Sequence, residues 1–245
     1  MILLSARDRS YRAISVLPVM RVAVLYHCEQ ISPRLDDALA DAGAEVERFR
    51  VDLDREVPSG SDFDAVIVLG GSMGAYEEEQ YPWLVAEKNW LRRLVEAGTP
   101  VLGICLGSQL LAEALGGRAM LASTRPEVGV TPLALTLIGQ VDPVTRHAGD
   151  VAFNLHQDTF ELPPGADLLA TSADFPQAFR LGSALAVQFH PDADVHQAIE
   201  WVDEVPDFLI KAGKEVAAYS QELEEWEPVL DRNSRSLFRA FLETV

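Results

Sequence analysis

Residues 99–117 read Thr-Pro-Val-Leu-Gly-Ile-Cys-Leu-Gly-Ser-Gln-Leu-Leu-Ala-Glu-Ala-Leu-Gly-Gly, and this stretch decides the fold. Its pattern predicts a buried strand over Val101–Ile104, a sharp corner at Cys105 and a helix over about Leu106–Leu115. Gly103 and Gly107 flank the cysteine as Gly-x-Cys-x-Gly, the thiol form of a nucleophile elbow. Such a corner leaves no room for side chains against the neighbouring backbone and exposes the sulfur at the carboxyl edge of a sheet. It also leaves the next residue's N–H free at a helix N-terminus, where the dipole favours a thiolate and a developing oxyanion. Alone, the pattern equally suits an inert cysteine beside a helix-packing glycine.

The surrounding chain alternates strands and helices. Arg21–His27, Ala44–Val51 and Asp64–Leu69 read as strands, the last apolar throughout and closed by Gly70-Gly71. Helices are expected over about Ser32–Ala42 and Pro82–Ala97, the second with a proline suited to its first turn. Apolar strands alternating with helices imply a parallel sheet covered on both faces, with ligands at the strands' carboxyl ends, where Gly70-Gly71 and Cys105 both fall. Further on, Val130–Ile138 and Asp167–Thr171 read as strands, Phe153–Phe160 is polar and contains His156, and Gln177–Arg180 with Ala184–Phe189 form a hairpin across Leu-Gly-Ser. From about Val195 the pattern is helical, with breaks expected near Pro206 and Pro228. The last 30 or so residues are expected to be an acidic, amphipathic helical pair, their carboxylates a solvated face.

Composition narrows the function. The 245 residues are 48% hydrophobic and 24% charged, as in a globular protein with one sizeable core. A formal net charge of −18 argues against nucleic acid, whose phosphates need a basic footprint. No run approaches the roughly 20 apolar residues of a membrane helix, and Met1–Met20 has no secretory pattern. Two cysteines, Cys28 and Cys105, make no disulfide framework and suit a reducing cytoplasm. No His/Cys cluster has metal-ligand spacing.

A cysteine nucleophile needs a base and a group to orient that base. Of the five histidines, His147 and His196 lie in polar surroundings, His27 ends the first strand near the cleft, and His156 is placed to face a pocket. His190 stands out because it follows the apolar run Ala186-Val187-Gln188-Phe189 and is fixed by Pro191. Alternation along an extended chain puts the Asp192 carboxylate on the same side.

Gly-Ile-Cys-Leu-Gly-Ser-Gln, with Gln-Phe-His-Pro-Asp placing a histidine 85 residues after the cysteine, resembles the class I glutamine amidotransferases of the Cys-His-Glu triad type. Within that family the likeness is to free-standing domains similar to the amidotransferase half of GMP synthase. Val-Leu-Gly-Gly at 68–71, Glu-Val-Gly-Val at 127–130, His-Gln-Asp-Thr-Phe at 156–160 and Gln-Ala-Phe-Arg at 177–180 extend the resemblance over about residues 21 to 200. It implies an α/β three-layer sandwich with a mostly parallel central sheet, flavodoxin-like. Residues 1–20 would be an extension, 21–205 the amidotransferase-like domain, and 206–245 a C-terminal helical extension of that domain.

Carried over by position, the resemblance makes Cys105 the nucleophile, His190 the general base and acid, and Asp192 the orienting carboxylate where the family has glutamate. Gly71 and Leu106 would be the oxyanion donors. Gly70, Gln109, His156, Gln157 and Asp158 would contact the substrate, with Gln157 standing where the family has glycine. No cofactor or metal is implied. The 45 residues after position 200 are too few for an ATP-dependent acceptor domain, and no phosphate-binding loop is apparent, so an ammonia acceptor is expected on a partner synthetase. Two other readings stay open: hydrolysis of γ-glutamyl compounds without an acceptor, and a non-catalytic regulatory subunit.

Overall fold

The computed structural model describes residues 19–58, 60 and 62–245; the expected N-terminal extension lies outside them through position 18. In chain order the elements are β1 (Arg21–Tyr26), α1 (Pro33–Asp41), β2 (Glu45–Arg50), α2 (Val51–Asp54), β3 (Ala65–Val68), α3 (Trp83–Ala97), β4 (Val101–Ile104) and α4 (Leu106–Ala114). Then follow β5 (Arg118–Leu121), β6 (Glu127–Pro132), β7 (Ala134–Leu135), β8 (Val151–His156), β9 (Asp158–Glu161), β10 (Asp167–Thr171), β11 (Pro176–Leu181) and β12 (Ala184–Val187). Three helices close the chain: α5 (Val195–Glu204), α6 (Pro206–Ala212) and α7 (Val216–Leu242).

One eight-stranded sheet in the order β2-β1-β3-β4-β12-β11-β10-β7 forms the central layer, with β2 through β12 parallel and the last three strands antiparallel. Its strands bury residues on both faces, as their apolar runs predict. Val22, Val24, Ile67 and Leu69 pack with Leu35 and Leu39 of α1 and Leu237, Phe238 and Phe241 of α7. Ala23, Leu25, Val66 and Val68 pack on the other face with Leu84, Leu91 and Leu94 of α3 and Leu110 and Leu111 of α4. Two short antiparallel pairs, β5-β9 and β6-β8, lie apart from this sheet, and β6-β8 shares a third core with α5, α6 and the first half of α7.

The structure departs from expectation after Gly117. The predicted strand Val130–Ile138 is two strands serving different sheets, β6 with β8 and β7 with β10. Leu133 between them turns into the core, and the Thr136 hydroxyl donates to the Leu168 carbonyl at 2.7 Å, fixing the turn beyond. The expected break near Pro206 is present: α5 ends at Glu204 and α6 starts at Pro206. Pro228 lies inside the 27-residue α7, which replaces the expected helical pair. An interior proline costs roughly 3 kcal/mol; here α7 is held on both sides of it, by Tyr219 and Leu223 in one core and by Phe238 and Phe241 in another.

Candidate active site

The corner at Cys105 is a backbone feature. Cys105 has φ 52° and ψ −110°, a conformation that costs a non-glycine residue about 1–3 kcal/mol and persists only where surroundings impose it. They do so by closeness: a side chain at Gly103 would collide with the Gly107 backbone, and one at Gly107 with the Val68 carbonyl. The Cys105 carbonyl accepts from Ser108 N and Oγ at 2.9 and 2.6 Å, starting α4, while its N–H donates to Val187 O at 2.9 Å. That last bond ties the elbow to β12, whose chain continues to His190.

β4 and β12 are parallel neighbours with Ile104 opposite Val187, so the continuations of both strands emerge at the same sheet edge. The His190 N–H donates to Phe153 O at 2.8 Å, and its Nδ1 lies 3.2 Å from Asp192 Oδ1. Asp192 is completely buried and His190 nearly so. The ring is walled by Phe153 and Trp201, with centroid separations of 6.0 and 4.8 Å. Burial opposes a charge on His190, but the charges of Cys105 and Asp192 and hydrogen bonds to both outweigh it, pushing its pKa up to about 10. The Asp192 carboxylate reaches the imidazole by a path through bends rather than regular strand.

Gly70 and Gly71 follow β3 at the same edge. A Cβ on Gly70 would come within 3.1 Å of His190 Cε1 and 3.6 Å of Cys105 Cβ; on Gly71 it would meet His27 Cβ at 2.6 Å and Leu106 Cδ2 at 2.8 Å. The glycines thus let the backbone approach Cys105 and the start of α4.

The expected substrate contacts divide. Gln109 is buried, its Nε2 donating to Gln188 Oε1 at 3.3 Å. His156 has both ring nitrogens engaged, Nδ1 at 3.0 Å from the Asp158 carbonyl and Nε2 at 3.2 Å from Glu127 Oε2, which ties the corner between β8 and β9 to β6. Gln157 sits at that corner half-buried, its carbonyl accepting from Ala122 N at 3.2 Å. Asp158 lies beside Tyr76 of the segment after Gly71; burial holds its carboxyl above the usual range, opposed by the Tyr76 hydroxyl. His27 does not line the cleft: it is buried against Glu87. His147 is half-buried and His196 exposed.

Several neighbours escaped the sequence reading. Trp201 and Phe153 sit close to the motifs in sequence, on α5 and β8, but no pattern there aims either ring at His190. Glu127 also accepts from Gln177 Nε2 at 2.6 Å, a pairing that no local pattern announces. Glu87 and Lys88 carried a signal: the α3 periodicity puts both on the buried face with Leu84, Leu91 and Leu94. Among the described residues no group of three or more His, Cys, Asp or Glu is arranged to hold a metal, and no helix is long and apolar enough to cross a membrane.

A family model described as glutamine amidotransferase class-I matches residues 23–200. A putative glutamine amidotransferase-like protein of Salmonella typhimurium is 36% identical over 125 residues, 49% of this chain and 52% of that protein. Gamma-glutamyl peptidase 4 of Arabidopsis thaliana is 29% identical over 178 residues, 68% of this chain and 69% of that one. Glutamine-hydrolysing GMP synthases match as well, but the chain spans only 28% and 31% of the length of two of them. The crystal structure of a glutamine amidotransferase from Thermotoga maritima superposes with a TM-score of 0.81 at 28% identity, covering 93% of this chain and all of that one.

Proposed function

This chain belongs to the class I glutamine amidotransferase family, and we propose that it hydrolyses the γ-amide of glutamine through a thioester on Cys105 and passes ammonia to an acceptor on another protein. The observation that carries this reading is one juxtaposition. A cysteine held on a strained elbow and a buried His190–Asp192 pair emerge side by side from β4 and β12.

The chemistry follows from those positions. Cys105 sulfur, as thiolate, adds to the γ-carbonyl carbon, and the carbonyl oxygen takes up the electron pair. The Gly71 and Leu106 N–H groups donate to that oxyanion, the role for which a backbone close to Cys105 is needed. His190, held toward its protonated form by Cys105 and Asp192, gives its proton to the amide nitrogen. The C–N bond breaks, ammonia leaves, and Cys105 carries the γ-glutamyl group as a thioester. Water then adds to the thioester carbonyl as His190 takes its proton. Glutamate departs and the thiolate returns beside the imidazolium. Gly70, Gln109, Gln157 and Asp158 would form the pocket for the amino-acid end, Asp158 facing its ammonium.

A second reading keeps the reaction and changes the leaving group. The likeness to a γ-glutamyl peptidase and Gln157 at a position the family fills with glycine favour γ-glutamyl peptides or amides, hydrolysed with no acceptor. Glutamate release is to be measured from glutamine and from γ-glutamyl dipeptides, with wild type and Cys105→Ser. Release from glutamine that Cys105→Ser abolishes supports the first reading; release only from dipeptides supports the second. No release from either overturns both.

A further inference from the structure

Two charged residues on the buried face of α3 have no part in the chemistry above. Glu87 is completely buried and Lys88 nearly so. Charges taken out of water are expensive unless paired, and both of these are paired beneath or along the irregular segment that runs from Gly70 to α3.

Glu87 grips His27: Nε2 of the imidazole lies 3.0 and 3.1 Å from the two carboxylate oxygens, and both side chains are wholly inaccessible. His27 in turn forms the floor under Gly71, its Cβ standing where a Cβ on Gly71 would be placed within 2.6 Å. Lys88 holds the far end of the same segment. Its Nζ donates to the Ala75 carbonyl at 3.0 Å, to the Glu113 carboxylate of α4 at 2.5 Å, and to Glu78. Between these anchors Gly74 N donates to Glu77 Oε2 at 2.8 Å. The segment has no strand or helix of its own, so these side chains, with the Leu69 N–H on Leu25 O at 3.0 Å, determine where its backbone lies.

We propose that His27, Glu87 and Lys88 are positioning residues that fix the segment from Gly70 to Glu78 and thereby aim the Gly71 N–H at the developing oxyanion. The proposal rests on the reading of Gly71 as an oxyanion donor. The direction of the His27 titration agrees with a charged pair: burial pulls its pKa down, but the Glu87 charge and hydrogen bond carry it above the ordinary histidine value.

The test separates oxyanion stabilisation from thiol reactivity. Glutamate release is measured in wild type, Cys105→Ala, Glu87→Gln and Lys88→Met, alongside alkylation of Cys105 by iodoacetamide in a Cys28→Ser background. Alkylation displaces iodide at a methylene and forms no oxyanion, so it reports the thiolate alone. Losing one oxyanion donor costs about 10²–10³ in rate; a displaced donor is expected to cost kcat about 10- to 100-fold in Glu87→Gln and Lys88→Met. KM and the alkylation rate should stay within about twofold. A kcat within twofold of wild type in the folded variants, a change confined to KM, or alkylation slowed as much as turnover would each overturn the proposal. Circular dichroism checks folding, and Lys88→Met carries the test by itself if Glu87→Gln does not fold. Equal release by wild type and Cys105→Ala would instead overturn the parent reading, and this inference with it.

Discussion

The two halves of the candidate site sit on adjacent strands and are built by different means. On the β4 side the geometry is held by the main chain: Gly103 and Gly107 leave no space for a Cβ, Cys105 is locked at positive φ, and its carbonyl and N–H are both taken. On the β12 side it is held by side chains from separate elements and from the chain just beyond the histidine: Phe153 of β8, Trp201 of α5 and the carboxylate of Asp192 around one imidazole. Main-chain closeness admits few residue types and no gradation. Side-chain packing accepts substitutes as long as the contact is made. This is how an aspartate can stand where the family carries glutamate: its carboxylate still arrives 3.2 Å from Nδ1.

If that contrast is right, changes on the histidine side grade in effect while those at the elbow do not. The largest expected loss is Asp192→Asn, which keeps the shape and removes the charge that orients and supports the imidazolium. The fall in kcat should reach about 10⁴-fold, the scale seen when the orienting aspartate of a triad becomes asparagine. The same variant tests the titration. Asp192 is one of the groups that raise the His190 pKa toward about 10, and proton donation to the departing amide nitrogen needs imidazolium. The alkaline limb of kcat should therefore move to lower pH in Asp192→Asn; an unmoved limb would remove Asp192 from the site. The sign for stability runs the same way. The contribution of charged His190 is complete below its unfolded value near 6.5 and is lost as pH rises toward about 10.

Gly107→Ala comes next. Its methyl group would overlap the Val68 carbonyl, so the elbow must shift, and a displacement near 1 Å can cost about 10²-fold. Overpacking of this kind destabilises by about 1–3 kcal/mol, read as a Tm lowered by several degrees in calorimetry. A fully active, unshifted variant would break the claim that the elbow is set by the backbone. Trp201→Leu should be milder. It removes the aromatic face beside His190, worth about 0.5–2 kcal/mol to a cation, and should lower kcat about 2- to 30-fold with the alkaline limb moved to lower pH. Asp192→Glu restores the family's residue in a pocket packed for the shorter one. Steady-state kinetics should show a loss of a few-fold; a gain would mean the β12 side is looser than its burial implies.

The same contrast governs how much of the molecule could be read from its sequence. The elbow was legible because its requirements are local: glycines two residues either side of a cysteine, between an apolar strand and an apolar helix. The inner parallel strands β1, β3, β4 and β12 were legible because they are buried on both faces and therefore almost wholly apolar. The antiparallel additions were not. β5 is four residues long and mostly exposed, and β6 and β7 read as one strand because nothing in the letters at 130–138 says that Leu133 turns inward. The acidic look of α7 hid its buried stripe. Two of its carboxylates serve the fold: Glu222 pairs with Lys214 at 2.6 Å and Glu227 with the buried Arg34 at 2.5 Å. At the site, His190 was found because a proline and an aspartate follow it. The partner of His156, Glu127, is 29 residues away in sequence, so the motif around the histidine does not announce the pairing.

The central claim is that Cys105 carries the γ-glutamyl group. The most direct measurement is peptide mass spectrometry of the protein acid-quenched during turnover of glutamine. A γ-glutamyl adduct is expected on the Cys105 peptide, absent in Cys105→Ser and absent from the Cys28 peptide. Glutamate release that continues in Cys105→Ser, or an adduct on a residue other than Cys105, would contradict it.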